Sequence, residues 1–131
     1  MEKSDLSQLD SAKGAEKGFT LTLRHPKTDA ELPWQVMLLG ADSEAYKDRA
    51  REFARARAAR FTKLRKMQIS PEELEAEAIE LLVVATTGWQ GMTRDGQPFE
   101  YSNDNARELY RKYPWIREQV DAAVGDRANF L

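Results

Sequence analysis

Histidine, carboxylates and arginines are where this chain could do chemistry, and each set has a plain structural alternative. The single histidine, His25, precedes Pro26 in a polar connection. With no cysteine and no second histidine beside it, it cannot anchor a transition-metal site. A Ser-His-Asp device would also need His25, and no Gly-x-Ser-x-Gly elbow exists to present the nucleophile. His25 therefore reads as a turn residue. Carboxylates for acid–base work are plentiful at Glu72, Glu73, Glu75, Glu77 and Glu80. They open a helix, however, where negative charge already suits the macrodipole. Neither a Gly-x-x-x-x-Gly-Lys-Ser/Thr loop nor a Gly-x-Gly-x-x-Gly turn occurs. No catalytic, metal or cofactor residue is assigned, and the expectation is a non-enzymatic protein with no cofactor.

Arginine spacing offers a second chemistry. Between Asp42 and Lys66 stand nine basic residues against four acidic ones. On a helix such a stripe can follow phosphates, so a small α-helical nucleic-acid-binding protein using helix 44–67 is the alternative function. The favoured explanation is charge pairing. The helix that follows opens with five glutamates, which can answer Arg51, Arg55 and Arg57 within one chain or between subunits.

Aromatic and aliphatic side chains complete the candidate set. Trp34, Phe53, Leu82, Trp89 and Trp115 are expected in the core, because aromatics at such spacing usually pack. Leu81 and Val84 sit in the run Leu81-Leu82-Val83-Val84-Ala85, which must be covered on more than one side, and so are candidate self-association contacts. Phe130 and Leu131 follow a polar tail and are candidate contacts to a neighbouring chain.

The elements that must position these residues follow from periodicity. Phe19, Leu21 and Leu23 alternate with polar residues, as do Leu32, Trp34, Val36 and Leu38, and a β-hairpin explains both runs. Pro33 belongs at a strand start or an edge. Asp42 or Ser43 caps a long Arg-rich helix from Glu44 to about Met67, with Tyr46, Ala50, Phe53, Phe61 and Leu64 on one face. Ser70-Pro71-Glu72-Glu73 carries a capping-box signature for a helix to about Thr87, stopped at Gly88. A turn at Asp95-Gly96 precedes two short helices, one capped by Ser102 and one opened by Pro114. The fold class is mainly α (α+β): an N-terminal hairpin, then a bundle of about four helices. Residues 1–17 form a flexible lead-in to a single domain over 18–131.

Composition sets the outer bounds. The chain has 131 residues, 32% of them charged and 41% hydrophobic, with a net charge of −2. Such balance names no polyanionic partner. No secretory h-region or membrane-length apolar run is found, so no membrane association is expected.

Several motifs together resemble a known family. Gly88-Trp89-Gln90-Gly91, Asp95-Gly96-Gln97-Pro98, Tyr101-Ser102-Asn103-Asp104-Asn105-Ala106, Tyr113-Pro114-Trp115-Ile116 and Asp126-Arg127-Ala128-Asn129-Phe130-Leu131 carry the likeness. Leu23-Arg24-His25-Pro26-Lys27-Thr28 and Leu39-Gly40-Ala41-Asp42-Ser43 add to it. From about Phe19 to Leu131 the chain resembles the tail assembly chaperones of long, non-contractile-tailed bacteriophages (the lambdoid siphophage type). The resemblance implies a non-catalytic protein of the infected host's cytoplasm. It would coat and solubilise the tape measure protein, help recruit the tail tube protein and leave before the virion is complete. The implied partners are further copies of itself, the tape measure protein and the tail tube protein. A longer frameshifted form of the same chain is common in that family. A structural head–tail component retained in the virion is a third reading.

Overall fold

The computed structural model describes residues 5–64 and 69–131. Two strands, β1 (Phe19–Arg24) and β2 (Glu31–Leu38), form the expected antiparallel hairpin, with Phe19 opposite Leu38 and Leu21 opposite Val36. Their shared face supplies Leu23, Val36 and Leu38 to the core, each almost fully buried. Gln119 clamps the irregular end of β1. Its amide donates to the Arg24 carbonyl at 2.8 Å and accepts from the Arg24 N–H at 2.9 Å.

A 21-residue helix, α2 (Glu44–Leu64), follows, and none of residues 44–63 is fully buried. Ser43, itself buried, accepts from the Tyr46 N–H, and Glu16 accepts from the Glu44 N–H at 2.6 Å. These two acceptors satisfy donors of the first turn. The sequence carries this helix to about Met67; Arg65, Lys66 and Met67 lie outside the described residues. Phe53 corrects one expectation: it is only half-buried and stands outside the core cluster, with the Arg49 guanidinium 4.4 Å from its ring centre. A helix this rich in alanine and arginine has too little apolar width to bury a whole face.

Helix α3 (Pro71–Ala85) begins as its signature requires, with Ser70 Oγ accepting from the Glu73 N–H at 3.1 Å. The Glu73 carboxylate is engaged instead with Arg60, at 2.8 Å. Ile79, Leu82, Val83 and Ala85 are buried. The helix ends earlier than expected, because Thr86 turns back on it: its hydroxyl donates to the Leu82 carbonyl at 2.7 Å. The chain leaves directly as a third strand, β3 (Thr86–Gln90), paired antiparallel to β2 with Val36 opposite Trp89. The sheet order is β1-β2-β3. Pro33 sits ahead of the part of β2 that β3 pairs with, so its missing N–H costs no ladder bond there.

A two-residue turn joins β4 (Thr93–Arg94) to β5 (Gln97–Pro98), and Asp95 and Gly96 both have positive φ, as a type I′ turn requires. Helix α4 (Asn103–Lys112) is capped by Ser102, and α5 (Pro114–Gly125) includes Gly125, which the sequence places just past the end. The lead-in carries elements too. A 3₁₀ turn spans Leu6–Leu9, and α1 (Ser11–Lys17) buries Ala15. Residues 5–17, read from the sequence as part of a flexible lead-in, thus carry a 3₁₀ turn and a helix. Among the described residues no helix is long and apolar enough to cross a membrane.

Candidate functional site: an aromatic pocket and a charge-paired helical hairpin

The motif block at residues 88–116 folds around one side chain. Trp89 stacks on Phe99 (5.5 Å between ring centres, 20°) and meets Tyr101 edge-on at 5.2 Å. Its Nε1–H donates to the Phe99 carbonyl at 2.7 Å, so the indole is buried with its polar atom satisfied. Gly91, at φ +88°, follows because a Cβ there would lie 2.0 Å from the Pro33 carbonyl oxygen. That close approach brings β4 beside the start of β2. Below it, the Thr86 and Tyr110 hydroxyls lie 2.6 Å apart, and Tyr101 donates to the Thr86 carbonyl at 2.9 Å. Burial pushes the Tyr110 phenol well above its ordinary pKa, so it stays neutral.

Against this plug opens a pocket of about 90 Å³. Trp34, Met92, Phe99, Tyr113, Trp115 and Ile116 line it, drawn from β2, the β4–β5 turn region and the α4–α5 junction. Trp34 and Trp115 are half-buried, packed on the core on one side and facing the pocket on the other. The core expectation is met for Leu82 and Trp89, and in part for these two. Arg94 lies over the Phe99 ring at 4.4 Å and pairs with Glu108 at 2.8 Å. Sequence spacing did not bring out this cavity, since its walls come from four separate elements.

Four arginines of α2 face carboxylates. Arg57 pairs with Glu77 and Arg60 with Glu73, both across to α3, while Arg51 lies 2.8 Å from Asp48 and Arg49 lies 2.6 Å from Glu52. Arg55 is exposed. Glu80, held below the usual carboxylate range by Arg107, ties α3 to α4 through bonds of 2.5 and 2.8 Å. Leu81 and Val84 are half-buried.

His25 behaves as a turn residue: its Nδ1 accepts from the Lys27 and Thr28 N–H groups at 3.1 and 3.3 Å. Among the described residues no three His, Asp or Glu side chains gather as a metal site would need.

Phe130 corrects the tail expectation. It is only 5% exposed and docks on its own chain, edge-on to Phe19 at 6.0 Å. Gly14 and Gly40 make room for it, since a Cβ on Gly14 would lie 1.5 Å from the Phe130 carbonyl oxygen. Arg127 completes the staple with two bonds to Asp42, which also accepts from Ser11 at 2.7 Å. These donors lower the Asp42 carboxyl to a pKa of about 2. Leu131 remains 63% exposed.

Comparison with family models, with characterised proteins and with solved structures finds no match.

Proposed function

We propose that this chain is a non-catalytic tail assembly chaperone of a long-tailed bacteriophage, acting in the cytoplasm of the infected host. It coats and solubilises the tape measure protein, helps recruit the tail tube protein and is absent from the finished virion. It acts as an oligomer, alone or with a longer frameshifted form of itself. One observation supports this reading most: of the motifs that carry the family likeness, those holding Trp89, Tyr101 and Tyr113-Pro114-Trp115-Ile116 meet at one unit, the Trp89 plug and the aromatic pocket beside it. A half-open apolar cavity of this kind suits an aliphatic side chain presented by another protein segment. The competing nucleic-acid reading loses ground because arginines of α2 are already matched to carboxylates of the same chain.

Co-expression with the tape measure protein of the same genome is the test. A tape measure protein that becomes soluble and co-purifies with this chain is the expected result. An insoluble tape measure protein, or tight retention of the chain on duplex DNA with a steep salt dependence, overturns the proposal. Recovery of the chain from purified particles would favour the virion-component reading instead.

A further inference from the structure

Two features at opposite ends of the molecule complement each other. The first is the aromatic pocket and its rim, where Arg94, paired with Glu108, covers Phe99 and the Lys112 ammonium lies 5.8 Å from the Tyr113 ring centre. Lys112 makes no ion pair among the described residues. The second feature is the turn ahead of α1. Among the described residues Leu6 is the most exposed large apolar side chain, at 89%, and Leu9 is also exposed. Three residues apart in a 3₁₀ turn, the two leucines project from the same side. Asp5 and Asp10 flank them, each accepting a backbone N–H and neither paired with a cation among the described residues.

The turn cannot fill its own pocket while α1 is docked. Ser11 holds Asp42, Glu16 holds the start of α2, and Phe19 lies opposite Leu38, at the far end of β2 from Trp34. Four strand residues alone separate those ends by about 13 Å. Donor and pocket therefore face different neighbours. Size agrees as well: a cavity of about 150 Å³ accepts the six carbons of benzene, so one of about 90 Å³ is scaled to the four carbons of a leucine side chain.

From this complementarity we infer that the Leu6–Leu9 turn of one copy inserts a leucine into the aromatic pocket of a second copy, its flanking aspartates facing Lys112. The contact is heterologous, so each copy offers one donor and one acceptor, and the association runs head to tail into a ring or an open array. It rests on the self-association within the proposed function, and adds the surface that carries it. A turn of this size buries far less than a stable dimer needs, so a single contact is weak and the assembly depends on concentration.

Sedimentation of the full chain at rising concentration reads the contact. Leu6→Asp with Leu9→Asp removes the donor. Thr93→Trp, at an exposed position on the pocket's mouth, blocks the acceptor. Each variant should associate about ten- to a hundredfold more weakly than the parent. Mixed in equal amounts, the donor-less and pocket-blocked chains should form a dimer that grows no further, since each retains what the other lacks. A second measurement covers misfolding of the blocked variant. A peptide of residues 5–10 titrated onto the full chain should change the fluorescence of Trp34 and Trp115, and Lys112→Glu should weaken that response.

Variants that associate like the parent, a mixture that stays monomeric, or a peptide that does not bind would each overturn this contact and leave the chaperone reading to the co-expression test. A parent that is monomeric at every concentration overturns both the contact and the self-association. If Thr93→Trp abolishes tape measure solubilisation while self-association is unchanged, the pocket belongs to that partner and the inference fails.

Discussion

Removing the Phe130 ring should free the N-terminal helix while leaving the sheet and its packed helices intact. The ring is 5% exposed and lies edge-on to Phe19 at 6.0 Å, with the Gly40 Cα hydrogens close beneath it. Its burial contributes about 1.5–3 kcal/mol and the edge-to-face contact a further 0.5–1.5 kcal/mol, so Phe130→Ala should cost roughly 2–4 kcal/mol at this site. The loss has a local ceiling. Helix α1 reaches the rest of the molecule through this turn, the Asp42 bonds, the Glu16 cap and the buried Ala15, whose carbonyl accepts from the Gly40 N–H at 3.1 Å, so once α1 undocks no further penalty accrues. Hydrogen exchange resolved by residue is the right assay. Amides of residues 11–17 should lose protection, while those of α3 and β2 should keep theirs. Gly14→Ala should do the same, since its methyl would collide with the Phe130 carbonyl. Unchanged protection of α1 in Phe130→Ala would refute the staple, and a uniform loss across α3 and β2 would refute its local character.

Trp89→Ala should cost about 3–5 kcal/mol in chemical denaturation. Trp89→Phe should still cost about 1–3 kcal/mol, because the Phe99 carbonyl would lose its donor. Acid should loosen the Asp42 tie in a defined window. Its carboxyl titrates near 3.8 when unfolded and near 2 when folded, so the stabilisation is complete above about pH 4 and is lost as pH falls through 2. Exchange of α1 amides should follow that window, and Asp42→Asn should abolish the dependence. Arg57→Gln with Arg60→Gln should lower stability by only about 1 kcal/mol, as exposed pairs do, and leave retention on duplex DNA flat; strong parental retention lost in the double variant would contradict the pairing.

Legibility in the sequence divides along a physical line. Hairpin and caps are local devices: the alternation of residues 19–23 and 32–38 and the Ser70-Pro71 start each act within a few residues, and each is found where expected. Strand β3 is not local. The stop signal that the sequence offers there, Gly88, comes after the actual end of the helix, which yields because pairing with β2, some fifty residues earlier, satisfies the backbone of Thr86–Gln90. The docking of Phe130 on its own chain, rather than on a neighbour, is hidden from the sequence for a similar reason. Beside Phe19, the surface that receives it is made by Gly14 and Gly40, which leave no apolar pattern to read. Phe53 erred the other way, since helical periodicity places it on a face without saying whether that face finds a core. Pocket and donor turn share this limit: their partners are far apart in the chain.

The way charge is spent within the molecule bears on how it would bind others. Arg57 and Arg60 of α2 meet Glu77 and Glu73 of α3 across one helical hairpin, so part of the basic charge of α2 is answered within the chain. In the proposed contact between copies the binding comes from apolar insertion, with Lys112 and the two aspartates to guide the approach. One leucine in a cavity of about 90 Å³ holds a neighbour briefly. Repeated along a long partner, the same contact gains from effective concentration and holds the array together, whereas any copy at an end remains free to leave. A coat built this way is stable in the middle and labile at its tips. That property would suit the proposed role, in which the chain coats a long partner and later leaves it.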